Sequence, residues 1–411
     1  MRLVAALRAT ETFLRRRAIP IVAAVTLGIV AGGAGYALYL GDSVRYFDER
    51  EYLDLASSLA RHGVFSFDGK TATALRPPAY PFLLSVFDRA GAGLPVLRWL
   101  QFLGLGVSVL LVTRLAGRLG GGAAAALAAL LTLTYPVEFY AAGTFYPQAV
   151  AGLLLLLALD LLSQREDPRG WHALAASGCF GVLILSVPSF VFSFSVALAW
   201  LVARGRASLR AVLCFVVPAV LVVGAWSLRN YAVLGAPVFV STNSGWNLLL
   251  GNSENTTPSA GTNVDLSRYE REATGNDEVS RDAFYRQKAG EWIAHNELAA
   301  AKLYGGKVLH YFAFRDQLAT RDESSTARDL LMLATYGPLL ALLALRLVAL
   351  RQLPAGRLES LLLALYVGNA FFMALFFCRI RFRLPLDLIL IAIDANFVVA
   401  ASGWLTRRAS V

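Results

Sequence analysis

The stretch FDEREYLDLASSLARHG, Phe47 to Gly63, crowds Asp48, Glu49, Arg50, Glu51 and Asp54 into one short segment. Carboxylates so placed suit two kinds of work. An ionised carboxylate can take the proton of an attacking hydroxyl as a general base, and a carboxylate at a helix start can accept backbone N–H bonds as a cap. Tyr52, Leu55, Ala56 and Leu59 recur at helical spacing and Gly63 is a natural stop, so the spacing predicts a short amphipathic surface helix. Asp48, four residues before Tyr52, shares its inward face, while Glu49, Arg50 and Asp54 point elsewhere. Asp48 also precedes Glu51 by three residues, which is capping-box spacing. The two roles are compatible, because the helix dipole keeps a carboxylate at that end ionised.

Next comes LRPPAYPFLLSVF, in which Pro77, Pro78 and Pro81 impose a rigid extended segment before a helix restarts. Arg76 is thereby fixed either as a snorkelling anchor or as a fork-shaped donor to a phosphate. Arg229, Lys302 and Arg381 are further cations of this kind; each also reads as a rim anchor or a solvated helix face. STNSGWNLLLGN offers Asn243, Trp246 and Asn252 to a sugar, with the Trp246 ring as a stacking face, and the same residues suit ordinary Asx turns. Asp387 and Asp394 lie seven apart on one apolar run and share a face. Carboxylates inside a membrane are costly, which makes them candidates for proton-coupled transport.

These residues must be positioned by a membrane protein. Of 411 residues, 57% are apolar and 16% charged, against about 25% charged in soluble proteins. Apolar runs near the ~20 residues needed to cross a bilayer fall at about 18–40, 95–117, 122–139, 145–163, 211–228, 329–350, 359–377 and 384–405. The run 172–203 would make one helix of ~48 Å, too long for a core of ~30 Å. SVPSF near its middle breaks it into two spans, giving an all-α polytopic chain of about ten transmembrane helices. The first run exceeds the ~7–15 residues of a cleavable signal and reads as a retained span. The positive-inside bias puts the arginine-rich N-terminus and the loops SQREDPRG and ARGRASLR in the cytoplasm, and the polar segments 41–94 and 230–327, each with a surface helix, together outside. The expected organisation is a single membrane domain over 1–411 in the cell's inner membrane, with no C-terminal soluble domain. The net charge of +10 is scattered through such loops, so nucleic acid is not an expected partner. Cys179, Cys214 and Cys378 have neither metal-ligand nor disulfide spacing and read as packing residues.

The acid cluster, surface helix and RPPAYP, in that order, resemble the first external loop of the GT-C class of membrane glycosyltransferases, in particular the branch of protein O-mannosyltransferases and aminoarabinose transferases (family 39-like). Asp48-Glu49, Tyr52, Leu55-Ala56 and Arg76 match the family's pattern there. WSLRNYAVLGAPVFVSTNSGWNLLLGN, EWIAHNELAAAKLYGGKVLHYF and RIRFRLPLDLIL resemble later family segments, so the likeness runs from about Asp42 to Asp387. It implies transfer of a sugar from a polyprenyl-phosphate donor to an acceptor hydroxyl at the outer membrane face, with inversion. It implies Asp48, with Glu49 beside it, for the proton; Arg76, then Arg229, Lys302 and Arg381, for the phosphate; and Tyr52, Tyr80, Asn243, Trp246 and Asn252 for sugar or acceptor. No cofactor is required; a divalent metal gathered by Asp48, Glu49 and Asp265 stays open. The partners are the donor lipid, membrane lipid, and a lipid, glycan or protein acceptor. Gln148 and Ser186 or Val187 stand where many relatives have Glu and Arg, so the donor sugar is open too. The competing reading is a transporter or flippase using Asp387 and Asp394.

Overall fold

A computed structural model describes residues 2–164, 170–203, 208–261, 263–315 and 325–409. Residues 165–169 of the loop SQREDPRG and 204–207 of ARGRASLR lie outside these residues. The described chain is helical, without strands. At the N-terminus α1 (Arg2–Arg16) leads into α2 (Ala18–Leu40); α3 (Phe47–His62) and α4 (Ala79–Arg89) follow, then α5 (Leu94–Leu133) and α6 (Pro136–Ala142). The middle holds α7 (Gln148–Ser163), α8 (Gly170–Ser186), α9 (Val191–Ala203) and α10 (Leu209–Leu234). A polar excursion carries α11 (Ser244–Gly251), α12 (Ser267–Glu272), α13 (Glu278–His295) and α14 (Glu297–Tyr311). The chain returns through α15 (Thr326–Val348), α16 (Arg357–Met373) and α17 (Ile380–Arg408).

Among the described residues, five helical segments are long and apolar enough to cross a membrane: α2, α5, α10, α17 and the stretch Thr326–Arg351 that continues α15. The protein is therefore a multi-pass membrane protein. The 40 residues of α5 are two limbs, because Gly121 turns the chain at φ 71°, a left-handed conformation that a side chain disfavours. The chain beyond the second limb returns to the first: Phe102 meets Phe139 of α6 with ring centroids 4.7 Å apart, and Gln101 donates to the Thr144 carbonyl at 2.9 Å. The expected span 122–139 is interrupted at Tyr135-Pro136, since proline opens α6 as a separate short helix. The 172–203 run breaks at Pro188 as expected, and Phe180 packs edge-on against Phe194 across that break. The ten-span reading counts short apolar helices such as α7 and α8 as full crossings. Helix α17 is central: Leu384 to Phe397 are buried all round, as expected of a helix apolar on every face.

The polar segments 41–94 and 230–327 meet at one end of the bundle. Thr242 N–H donates to the Ala74 carbonyl at 2.9 Å, and the Glu278 carboxylate accepts from Thr73 Oγ1 at 2.6 Å and Ala74 N–H at 2.8 Å. The second segment is seated on the bundle by a close approach at the end of α11. A Cβ added to Gly251 would lie 1.9 Å from the Phe376 carbonyl oxygen. Beside it, buried Lys307 donates to Gly251 O at 2.9 Å and Phe376 O at 2.8 Å, and Asn252 Nδ2 donates to Leu375 O at 2.8 Å.

Gly251→Val should force this junction open and cost about 1–3 kcal/mol, read as a lower thermal midpoint in detergent. Gly290→Ala, at an exposed helical glycine with nothing within 4 Å of the added Cβ, should leave the midpoint equal or higher.

Candidate active site

Helix α3 begins one turn from a buried clamp. Arg98, 1% exposed, donates to the carbonyls of Gly41, Ser43 and Gly143 and fixes where the first polar segment leaves the bundle. Glu49 completes the clamp. One of its oxygens accepts from Arg45 N–H at 3.0 Å and Tyr46 N–H at 2.8 Å, and the other from Phe145 N–H at 2.7 Å. The helix therefore starts at Tyr46, and its reciprocal cap is Glu49 rather than the expected Asp48–Glu51 pair. Glu49 is 2% exposed and its bonds are to backbone donors. Both of its oxygens are taken up by backbone N–H groups.

Asp48, released from capping, is held between two guanidiniums. Arg76 Nη2 donates to one oxygen at 2.6 Å and Arg381 Nη1 to the other at 2.9 Å. Arg76 also pairs with Glu51 through Nε at 2.8 Å and lies over the Tyr52 ring. Arg381 lies over the Tyr146 ring, 4.9 Å from its centroid, and its buried Nε has no partner. Burial pushes the Asp48 carboxyl up, but the attraction of Arg381 and Arg76 outweighs it and the value falls below the ordinary 3.8. Glu51 goes the other way: burial raises it, Arg76 offsets this in part, and the negative Asp48 adds to the rise above 4.5. The two guanidiniums thus favour the charged form of Asp48 in this arrangement.

This cluster forms one end of a cleft of about 590 Å³, within the range of small-molecule sites. The walls come from the Phe67–Arg76 segment, from α11 and its approach, and from α13. Of the expected residues, Asp48, Arg76, Arg381, Asn243 and Trp246 line it. Five others are placed elsewhere. Tyr52 and Tyr80 are buried edge-on against each other, with the Tyr80 hydroxyl on Gln101. Asn252 is consumed by the Leu248 and Leu375 carbonyls and by Lys307. Arg229 stacks on Trp226 and donates to the Thr73 carbonyl at 2.7 Å, so it braces the cleft wall from behind. Lys302 is exposed on α14, away from the cleft lining. The buried lysine of that helix is Lys307, pushed down by burial to about 8.

Thr242, Glu278, Arg281, Asp282 and Tyr285 also line the cleft and were missed in the sequence. The last four follow the i, i+3, i+4, i+7 spacing of one α13 face, a legible stripe once a helix there is known to face inward. Among the described residues no group of carboxylates, histidines and cysteines is arranged to hold a metal. Asp265, the third residue of the open metal reading, caps Ser267 N–H on the surface. Asp387 is buried against Arg383 at 3.0 Å and accepts from Tyr135 at 2.7 Å and Tyr366 at 3.0 Å. Asp394 is equally buried, and neither of its oxygens has a hydrogen-bond partner.

No protein-family model matches the chain, and no curated protein does either. Among solved structures the chain is similar to ArnT from Cupriavidus metallidurans bound to undecaprenyl phosphate, at 14% identity and a TM-score of 0.42, covering 92% of this chain and 77% of that one. The apo form of the same protein gives 14% and 0.40 over 93% and 77%. The Archaeoglobus fulgidus oligosaccharyltransferase in complex with zinc and sulfate gives 14% and 0.40 over 91% of this chain and 49% of its own. Likeness at this level carries no weight on chemistry or substrate, which rest on the residues of this chain.

The opposite shifts of the two carboxylates set an order of protonation. On acidification Glu51 should take its proton above 4.5, while Asp48 stays charged to below 3.8. Stability from Asp48 is present above 3.8 and is lost only as pH falls through its lowered value; Glu51 contributes stability below 4.5 that is lost as pH rises through its raised one. Infrared difference spectra against Glu51→Gln and Asp48→Asn should show the Glu51 protonated-carboxyl band appearing at the higher pH.

Proposed function

We propose that this protein is a membrane glycosyltransferase that moves a sugar from a polyprenyl-phosphate donor to an acceptor hydroxyl at the external face of the inner membrane, inverting the anomeric centre. The observation that carries this reading is Asp48 held by Arg76 and Arg381 at the end of an open cleft. A phosphate needs preorganised cations where charge develops on the leaving group, and two guanidiniums supply them. An arriving phosphate competes with Asp48 for both. As it draws the guanidiniums toward itself, Asp48 loses the attraction that depresses its affinity for protons and becomes a better base. The attacking oxygen loses its proton to Asp48 Oδ, its lone pair forms the new bond to the anomeric carbon, and the carbon–oxygen bond to phosphate breaks with its electrons on the phosphate. Glu51 retains a carboxylate beside Arg76 throughout. Asn243 and Trp246, on the cleft wall, supply an amide and an aromatic face for the sugar.

The transporter reading needs carboxylates that exchange protons with a path. Asp387 is instead closed within Arg383, Tyr135 and Tyr366, which favours a structural pair.

Asp48→Asn should insert and fold yet lose transfer by about 10²–10⁴-fold, measured as product from a polyprenyl-phosphate sugar in reconstituted vesicles. Asp394→Asn should retain transfer. Unchanged turnover in the Asp48 variant would remove the assigned base, and loss of substrate flux on Asp394→Asn alone would favour transport.

A further inference from the structure

Helix α1 carries a charge pattern that the cleft does not use. Along α1 and the residue after it, five arginines stand against a single acid, Glu11. Leu7, Glu11 and Leu14 share one face by helical spacing and are half-buried. The opposite face holds an open groove of about 540 Å³, lined by Arg8, Ala9, Thr12, Phe13, Arg16 and Arg17. Among the described residues Arg15, Arg16 and Arg17 have no ion-pair partner.

The bundle fixes where this groove lies. Helix α1 packs against α5 and α17, and a Cβ added to Gly122 would sit 3.5 Å from the Arg15 carbonyl oxygen. In the same turn of α5, a Cβ on Gly120 would sit 2.9 Å from Asn396 Oδ1 of α17. Between Arg381 of the cleft cluster and Asn396, α17 is continuous, a rise of about 22 Å at ~1.5 Å per residue. Helix α1 is therefore at the end of the bundle away from the cleft. Arg17 directly precedes the span α2, so the groove is tethered at a bilayer boundary. Phe13 and Ile19, 59% and 84% exposed, flank the arginines. Arginines on the polar side and exposed apolar side chains beside them are what a helix in the headgroup layer presents. A soluble acidic partner makes no use of the apolar pair.

We propose that this groove binds the headgroup of an anionic phospholipid in the leaflet away from the cleft. The guanidiniums of Arg8, Arg16 and Arg17 donate to the phosphate oxygens, and Phe13 and Ile19 enter the upper acyl region. The site does not depend on the transferase reading.

The test is native mass spectrometry of the full chain released from nanodiscs with equal amounts of phosphatidylglycerol and phosphatidylcholine. The protein should retain phosphatidylglycerol in about tenfold excess, and less after equilibration at high salt. The triple variant Arg8→Gln, Arg16→Gln, Arg17→Gln should bring the two lipids within about twofold, since each arginine near a membrane surface is worth about fivefold. Arg271→Gln, at an exposed position on α12, should leave the excess unchanged. In phosphatidylcholine alone the triple variant should unfold at the parent's midpoint, and added phosphatidylglycerol should raise the parent's midpoint and not the variant's. Equal retention of both lipids by the parent, or an unchanged excess in the triple variant, would overturn the proposal. So would a midpoint rise with inorganic phosphate as large as with the lipid, which assigns a free-anion site. Binding of an acidic peptide without any lipid preference would assign the groove to a protein partner instead.

Discussion

A carboxylate held between two guanidiniums is the constraint on which the site depends. Asp48 comes from the first polar segment, Arg76 from the same segment after a proline-stiffened turn, and Arg381 from the first turn of the central helix. Bringing these charges out of water is unfavourable unless each finds its partner in good geometry. Glu51 supplies the second negative charge for Arg76, so two cations meet two anions and the cluster is balanced with no ligand present. Both polar segments lie at the same end of the bundle, where Thr242 N–H donates to the Ala74 carbonyl and the Glu278 carboxylate accepts from Thr73 Oγ1 and Ala74 N–H.

Rigid supports surround the cluster. Arg98 and Glu49 saturate the backbone where the first segment leaves the membrane helices. Lys307, Asn252 and the absent side chain of Gly251 lock the second segment to the turn before α17. That turn sets the direction of Arg381. Several of the most buried polar groups of the two polar segments therefore hold backbone instead of facing the cleft. The cleft keeps the partly exposed ones, whose pairings a charged ligand can exchange at lower desolvation cost.

The same division explains the candidate residues that moved. A sequence shows that Tyr52, Tyr80 and Asn252 lie near functional segments, but not whether their polar atoms point to a cavity or to a neighbouring carbonyl. Glu49 and Asp48 are adjacent acids of similar chemistry. A helix start two residues earlier than the capping-box spacing suggests gives the cap to one and leaves the other for the site.

By itself the sequence determined the membrane class, through apolar runs of crossing length. It also determined the α3 helix, through its apolar spacing and Gly63, and the break near Pro188. All are local consequences of side-chain polarity and backbone restriction. The pairing of Asp48 with Arg76 was within reach, since the two lie in one segment. Only the tertiary structure decided that Arg381, 333 residues away from Asp48, completes the cluster while Arg229 and Lys302 do not. It alone decided which face of α13 forms the cleft wall and that Tyr135 reaches Asp387. Those outcomes depend on which helix ends are neighbours, a property of long-range packing that no local period encodes.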